Sequence, residues 1–127
     1  MAYTLLIVDD SATTRGIIKK VLGLTDLDLG TLYEATNGQE GLAKLRETWI
    51  DLVLADLNMP VMNGTEMIAA MASDPVLRSV PVVVVSSEGN RTLLDSLAEQ
   101  GVREVIRKPF DPAALRRVIE EALRVKR

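Results

Sequence analysis

Two kinds of segment alternate along this chain, and the alternation limits the fold more than any other feature. Short β-rich apolar runs lie at residues 4–8, 31–35, 51–55, 81–85 and 102–106. Each is followed by a stretch with helical spacing. The first places Ile17, Ile18, Val21 and Leu22 on one face. The second, near 39–48, buries Leu42 and Leu45. The third, near 65–72, buries Ile68, Met71 and Ala72. The fourth, near 91–100, carries Leu94, Leu97 and Ala98. The last, near 112–124, carries Leu115, Val118, Ile119, Ala122 and Leu123. Start and stop signals agree. Ser11 opens the first helix. Asn63 with Glu66 caps the third, Asn90 caps the fourth and Gly101 follows it. Asp111-Pro112 puts proline at a first helical position, where its missing N–H costs nothing.

A strand-helix unit repeated five times implies a parallel sheet covered by helices on both faces. Right-handed crossovers then favour a doubly wound (βα)5 α/β fold of the flavodoxin-like order 2-1-3-4-5. The runs Leu52–Val53–Leu54–Ala55 and Val82–Val83–Val84–Val85 are apolar at every position, as strands covered on both sides must be. At 127 residues the chain fits one domain, residues 1–127.

Composition removes whole classes of chemistry. Neither Cys nor His occurs, so disulfides, thiolate metal sites, Ser-His triads and imidazole general bases are excluded. Any metal must be a hard cation bound by oxygen. The net charge of −3 gives no sign of nucleic-acid or anionic-membrane binding. The apolar runs are far too short to span a bilayer and no signal-peptide pattern opens the chain, so a cytoplasmic location is expected.

In open α/β sheets, sites form at the carboxyl ends of the strands beside the switch point. Here strand 1 ends in Asp9-Asp10, strand 3 in Asp56 and strand 4 in Ser86-Ser87, while Lys108-Pro109 follows strand 5. Two carboxylates ~4 Å apart repel by about 4 kcal/mol at an effective dielectric near 20. Three such acids need cations. Lys108 supplies one charge and a divalent ion the other two. Few oxygen ligands suit Mg²⁺, which keeps waters and shares its shell with phosphate. Asp56, mounted on a central strand, is then the nucleophile toward phosphorus. Asp9, Asp10, Asp56 and the backbone carbonyl of Asn58 hold the metal, and Ser86 and Lys108 contact the phosphoryl oxygens.

The motifs LLIVDDS (5–11), EATNGQEGL (34–42), DLVLADLNMPVMNG (51–64), VVVVSSE (82–88) and VIRKPF (105–110) occur in order across nearly the whole chain. Together they resemble the receiver domain of bacterial two-component response regulators. DDS with Arg15, and ADLNMPVMNG, are similar to the single-domain, chemotaxis-type (CheY-like) members. The resemblance implies that Asp56 takes a phosphoryl group from a histidine kinase or histidine phosphotransfer domain, so a chain without His suffices. It implies Mg²⁺ at Asp9, Asp10 and the Asn58 carbonyl. Ser86 falls at the family's Thr/Ser switch position, and Lys108 at its phosphoryl-binding lysine, before a cis proline. Asn58 and Glu88 flank the phosphoryl group and tune hydrolysis. A downstream target is expected at the face formed by helix 4, strand 5 and helix 5. The implied function is a phosphoacceptor switch rather than a multiple-turnover enzyme.

Two departures from that pattern stand out. Val105 occupies a position where relatives often carry an aromatic rotamer switch, so output is expected to lean on residues 87–100 after strand 4. Leu57 follows the acceptor, so the only tryptophan, Trp49, is expected to report poorly on the site. The alternative that keeps this chemistry is a receiver excised from a larger multidomain regulator; readings of another class are weaker. A flavin or nucleotide binder would need a phosphate-cradling loop after strand 1, where two carboxylates stand instead. A magnesium phosphohydrolase would want an acid two residues past the nucleophile, where Asn58 stands. A receiver-like module that only docks would not need the complete acid, Ser and Lys set. The basic ending, Arg116, Arg117, Arg124, Lys126 and Arg127, reads as a solvated helix face with charge favourable to its C-terminus.

Overall fold

The computed structural model describes residues 2–124. Strands β1 (Tyr3–Val8), β2 (Leu29–Ala35), β3 (Leu52–Ala55), β4 (Val82–Ser86) and β5 (Val102–Arg107) alternate with helices α1 (Ala12–Leu22), α2 (Gly38–Glu47), α3 (Gly64–Ala72), α4 (Arg91–Glu99) and α5 (Pro112–Arg124). A single 3-10 turn, Leu77–Ser79, precedes β4. All neighbouring strands pair in parallel, in the order β2-β1-β3-β4-β5, as the strand-helix alternation requires.

The two-residue period of a strand divides the core into halves. Leu5, Ile7, Leu52, Leu54, Val83 and Val85 face one side, against Ile18, Val21 and Leu22 of α1 and Leu115, Val118 and Ile119 of α5. Leu6, Val8, Val53, Ala55, Val82 and Val84 face the other, against Leu42 and Leu45 of α2, Met67 and Met71 of α3 and Leu97 of α4. This explains the unbroken apolar runs: each successive side chain enters a different core. Full burial of such a side chain is worth about 1.5–3 kcal/mol, so the central strands are a rigid mount for whatever follows them.

Several local expectations shift. Ile17 is 44% exposed, not buried; it lies one residue, about 100° of helix, from the Ile18–Val21–Leu22 stripe. Ala98 is exposed, and Leu94 and Ala72 are half-buried, while Met67 takes a core place that the sequence did not single out. β2 begins at Leu29 rather than 31 because Tyr3 extends β1 and pairs with it. Asp51 and Pro81 precede β3 and β4 rather than opening them. The Asp51 N–H donates to the Thr4 carbonyl at 2.7 Å. Its carboxylate accepts from Thr4 N at 2.8 Å and from Trp49 Nε1 at 2.9 Å.

The caps follow sequence chemistry. Ser11, Asn37, Asn63 and Asn90 each accept a backbone N–H from the first turn of their helix, and Asn63 forms a full capping box with Glu66. Asn37 starts α2 at Gly38, one residue earlier than periodicity placed it. Gly101 has φ 100°, the left-handed stop expected after α4. Arg116 and Arg124 do more than meet solvent: Arg116 donates to the Leu24 carbonyl at 3.3 Å, and Arg124 pairs with Asp26 at 3.1 Å. Lys126 and Arg127 lie outside the described residues.

Candidate functional site

β1 and β3 are neighbours, and Val8 pairs with Ala55 at their carboxyl ends. The next residues, Asp9 and Asp56, therefore leave the sheet at one level, and the Asp56 N–H donates to the Val8 carbonyl at 2.9 Å. Asp9, Asp10 and Asp56 can each present an oxygen, all within 4.8 Å of one another. Asp9 is 1% and Asp56 7% exposed, while Asp10 is exposed. The structure brings together the acids that the sequence placed on separate strands.

Lys108 joins them. Its Nζ donates to Asp9 Oδ2 at 3.0 Å and to Asp56 Oδ2 at 3.2 Å. Its backbone N–H is anchored on the Ser86 carbonyl at 3.0 Å, beside the final Ser86–Arg107 pair of β4 and β5. The Lys108–Pro109 bond is cis, as expected. Burial alone would lower the pKa of this ammonium. The hydrogen bond to Asp9 and the charges of Asp56 and Asp9 outweigh burial and raise it above the ordinary lysine value.

The second oxygens of Asp9 and Asp56 are held by backbone. Asp56 Oδ1 accepts from Leu57 N at 2.7 Å and, at 3.4 Å, from Asn58 N. Asp9 Oδ1 accepts from Ser11 N at 2.8 Å. Each carboxylate thus keeps a fixed direction before any ligand arrives. One ammonium cannot balance three acids. Two carboxylates within 4.8 Å repel by about 3.5 kcal/mol at an effective dielectric near 20. An all-oxygen donor set with two nearly buried members and one open to solvent fits a hard divalent cation that retains waters.

Ser86 is fully buried at the end of β4, and its Oγ accepts from Glu88 N at 3.2 Å. Asn58 is exposed just past the acceptor. Glu88 is half-buried and turned toward α4, where its carboxylate accepts from Asn90 N at 3.0 Å. Val105 is half-buried and packs against the core that holds α4. Trp49 is 66% exposed at the amino end of β3, remote from the acids, as anticipated.

Some supporting contacts were invisible in the sequence. Arg15 Nη1 donates to the Asp9 carbonyl at 2.6 Å, and its Nε to Glu34 at 2.7 Å; Lys19 adds a contact to Glu34 at 2.8 Å. Arg15 and Glu34 stand 19 residues apart, and only the β1–β2 pairing brings them together. The hydrogen bonds from Lys19 and Arg15 hold the Glu34 carboxyl below its ordinary pKa. Gly64 permits the close return after Asp56: a Cβ there would run into the Asp56 carbonyl oxygen and lie 2.9 Å from Leu57 Cα. The NG pair that capped α3 in the sequence thus also closes the acceptor loop.

Known proteins place the chain. Residues 5–120 match the family model for the response regulator receiver domain. The chemotaxis protein CheY of Pseudomonas aeruginosa is 36% identical over 117 residues, spanning 92% of this chain and 93% of that one. The solved structure of chemotaxis response regulator CheY4 of Vibrio cholerae superposes with a TM-score of 0.84 at 27% identity, covering 97% of this chain and all of that one. The phosphorylated cyanobacterial phytochrome response regulator RcpA gives 0.81 at 26% identity, over 95% and 91% of the two chains. With the same strand order and a family match running from β1 into α5, the chain belongs to the response regulator receiver domain family and is a CheY-like signalling domain.

Proposed function

We propose that this domain is a phosphorylation-dependent switch in which Asp56 accepts a phosphoryl group from a phosphohistidine on a histidine kinase or histidine phosphotransfer domain. The observation that carries this is the convergence of Asp9, Asp10 and Asp56 oxygens within 4.8 Å, with Lys108 bridging two of them. An Asp56 oxygen attacks phosphorus, the P–N bond breaks, and its electron pair leaves with the imidazole. The product is an acyl phosphate on a strand end that cannot drift. Asp9, Asp10, Asp56 and the Asn58 backbone carbonyl would hold Mg²⁺, which supplies neutralisation of the phosphoryl charge. Lys108, already aimed at Asp56, contacts a phosphoryl oxygen.

Ser86 transmits the event. Its Oγ accepts from Glu88 N, so a rotation that swings the hydroxyl over to donate to a phosphoryl oxygen carries that acceptor away from the loop. Glu88 is bonded to Asn90, the N-cap of α4, so the change passes into residues 87–100 and the α4–β5–α5 face, where a target protein docks. Val105, packed rather than swinging, leaves this loop as the output route. Asn58 and Glu88 set access for hydrolytic water, which makes the phosphorylated state short-lived. By analogy with its CheY relatives, residues 1–127 act as a receiver domain in chemotaxis-type signalling in the cytoplasm. It turns over no small substrate of its own.

The test is incubation with acetyl phosphate and Mg²⁺, followed by intact-mass analysis. One phosphoryl group is expected on wild type, none on Asp56→Asn, and none on wild type with a chelator. Phosphate on the Asn variant, or an unmodified wild type, would overturn the assignment.

A further inference from the structure

We propose that Arg15 is a positioning residue of the cation site: its guanidinium, held by Glu34, fixes the Asp9–Asp10 peptide and so aims the Asp10 carboxylate at Asp9 and Asp56. The inference rests on the reading of the three acids as a Mg²⁺ site and extends it to residues outside the acids themselves.

Asp9 and Asp10 are held very differently. Asp9 is tied at four points. Its N–H donates to the Ala35 carbonyl at 3.0 Å, its Oδ1 accepts from Ser11 N at 2.8 Å, its Oδ2 accepts from Lys108 Nζ at 3.0 Å, and its backbone carbonyl accepts from Arg15 Nη1 at 2.6 Å. Asp10 is exposed, and among the described residues its carboxylate accepts no hydrogen bond. Yet an oxygen of Asp10 comes within 4.8 Å of the other two acids. The backbone has to bring it there. The Asp9 carbonyl and the Asp10 N–H share one rigid peptide plane, so a donor that grips the carbonyl sets the direction in which Asp10 leaves β1. Arg15 is that donor.

Arg15 is itself held in place. Its side chain is 14% exposed and reaches back from α1 toward the helix N-terminus, the direction in which long helical side chains lean. Its Nε donates to Glu34 Oε1 at 2.7 Å, while Lys19 Nζ holds Glu34 Oε2 at 2.8 Å. Two prongs of a planar fork on two fixed acceptors leave the guanidinium one orientation. Glu34 precedes Ala35, the acceptor of the Asp9 N–H, so the contacts close a ring from β1 through α1 and β2 back to β1. Glu34 also offsets the charge of Arg15. A bare guanidinium beside three metal ligands would repel the cation, so geometry rather than charge explains an arginine here.

The experiment titrates MgCl₂ into the full chain by calorimetry, with no phosphodonor present, for wild type, Arg15→Met and Glu34→Gln. Methionine keeps the buried stem and loses the charge and the donors. Charge and positioning predict different signs. Electrostatics alone makes Arg15→Met bind Mg²⁺ more tightly and Glu34→Gln more weakly. A clamp that aims the acids makes both bind more weakly. Kd is expected to rise roughly 10- to 100-fold in Arg15→Met, the scale for groups that orient metal ligands. It rises by a smaller factor in Glu34→Gln, whose amide oxygen still accepts from Arg15. A second readout needs no metal. In chelator the Ser11 amide, bonded to Asp9 Oδ1, is expected to exchange hydrogen faster in Arg15→Met, because the peptide between Asp9 and Ser11 is no longer held, while the β3 amides stay protected. Wild type that binds no Mg²⁺ refutes the cation site, and the clamp with it. Wild type that binds Mg²⁺ beside an Arg15→Met chain of equal or higher affinity overturns the clamp alone. So does unchanged Ser11 exchange in chelator.

Discussion

Lys108→Met removes the cation between Asp9 and Asp56 while keeping the length of the side chain. In the wild type, the ammonium sits 3.0 and 3.2 Å from the two acids. Each contact is attractive by about 5 kcal/mol at an effective dielectric near 20, before the cost of desolvation. Without it, two nearly buried carboxylates within 4.8 Å repel by about 3.5 kcal/mol. Removing one partner of a buried pair costs about 3–5 kcal/mol. Because 24% of the lysine side chain remains exposed, the lower end applies, and solvent screens part of the field. A loss of about 3 kcal/mol is expected in chelator at neutral pH, which lowers Tm by about 12 °C in a domain of this size. Thermal unfolding followed by circular dichroism, with and without Mg²⁺, measures it. Mg²⁺ is expected to raise Tm more in the variant than in wild type, since it then supplies all of the missing charge. In wild type the Lys108 pKa is raised. Its contribution is complete below the ordinary lysine value of 10.5 and disappears as pH rises through the higher folded value. A variant melting within about 2 °C of wild type in chelator would show that the acids do not feel one another as the electrostatics requires.

Asp10→Asn acts in the other direction: it removes charge from the acid group without removing a Lys108 contact. Metal-free Tm is expected to rise slightly, since Asp10 is exposed, while Mg²⁺ no longer shifts it; a lower metal-free Tm contradicts this. Val61 adopts φ 68°, a left-handed conformation that costs a β-branched residue about 1–2 kcal/mol, and its side chain is 76% exposed. Val61→Asn is therefore expected to raise stability by about 1 kcal/mol in urea unfolding, and a neutral or lower midpoint would count against strain there. Gly64→Ala forces a methyl into the Asp56 carbonyl and Leu57 Cα. It is expected to cost at least about 2 kcal/mol and to slow phosphorylation by acetyl phosphate; an unchanged rate separates the loop from the acceptor. Glu34 has a lowered pKa, so its stabilising contribution is present above the ordinary glutamate value of 4.5 and fades as pH falls through the lower folded value. Glu34→Gln is expected to flatten that acid limb of the stability profile, and an identical limb would mean that the Arg15–Lys19–Glu34 contacts contribute nothing.

Strand order, the apolar runs and most caps were legible because they rest on local periodicity and on single residues. Leu52–Ala55 and Val82–Val85 each alternate between two cores, and an unbroken apolar run is the visible trace of that. Asn63 with Glu66 and Gly101 encode their helix ends within a few residues. The same locality explains the failures. Nothing near Ile17 or Ala98 says which residue of an amphipathic turn sits a step outside the stripe, and nothing near residue 29 says that Tyr3 will pair with Leu29. Those outcomes depend on what another element presents.

The candidate site divides along the same line. Three acids, a buried serine and a lysine could be assigned to strand ends from the chain alone, because parallel-sheet topology sends every strand's carboxyl end to the same edge. Contacts set by long-range pairing were out of reach of the sequence. Lys108 spans 99 residues to Asp9 and 52 to Asp56, and Glu34 is gathered by Arg15 and Lys19. The order of residues carries local preference and period; distance between side chains exists only once the strands have chosen their neighbours.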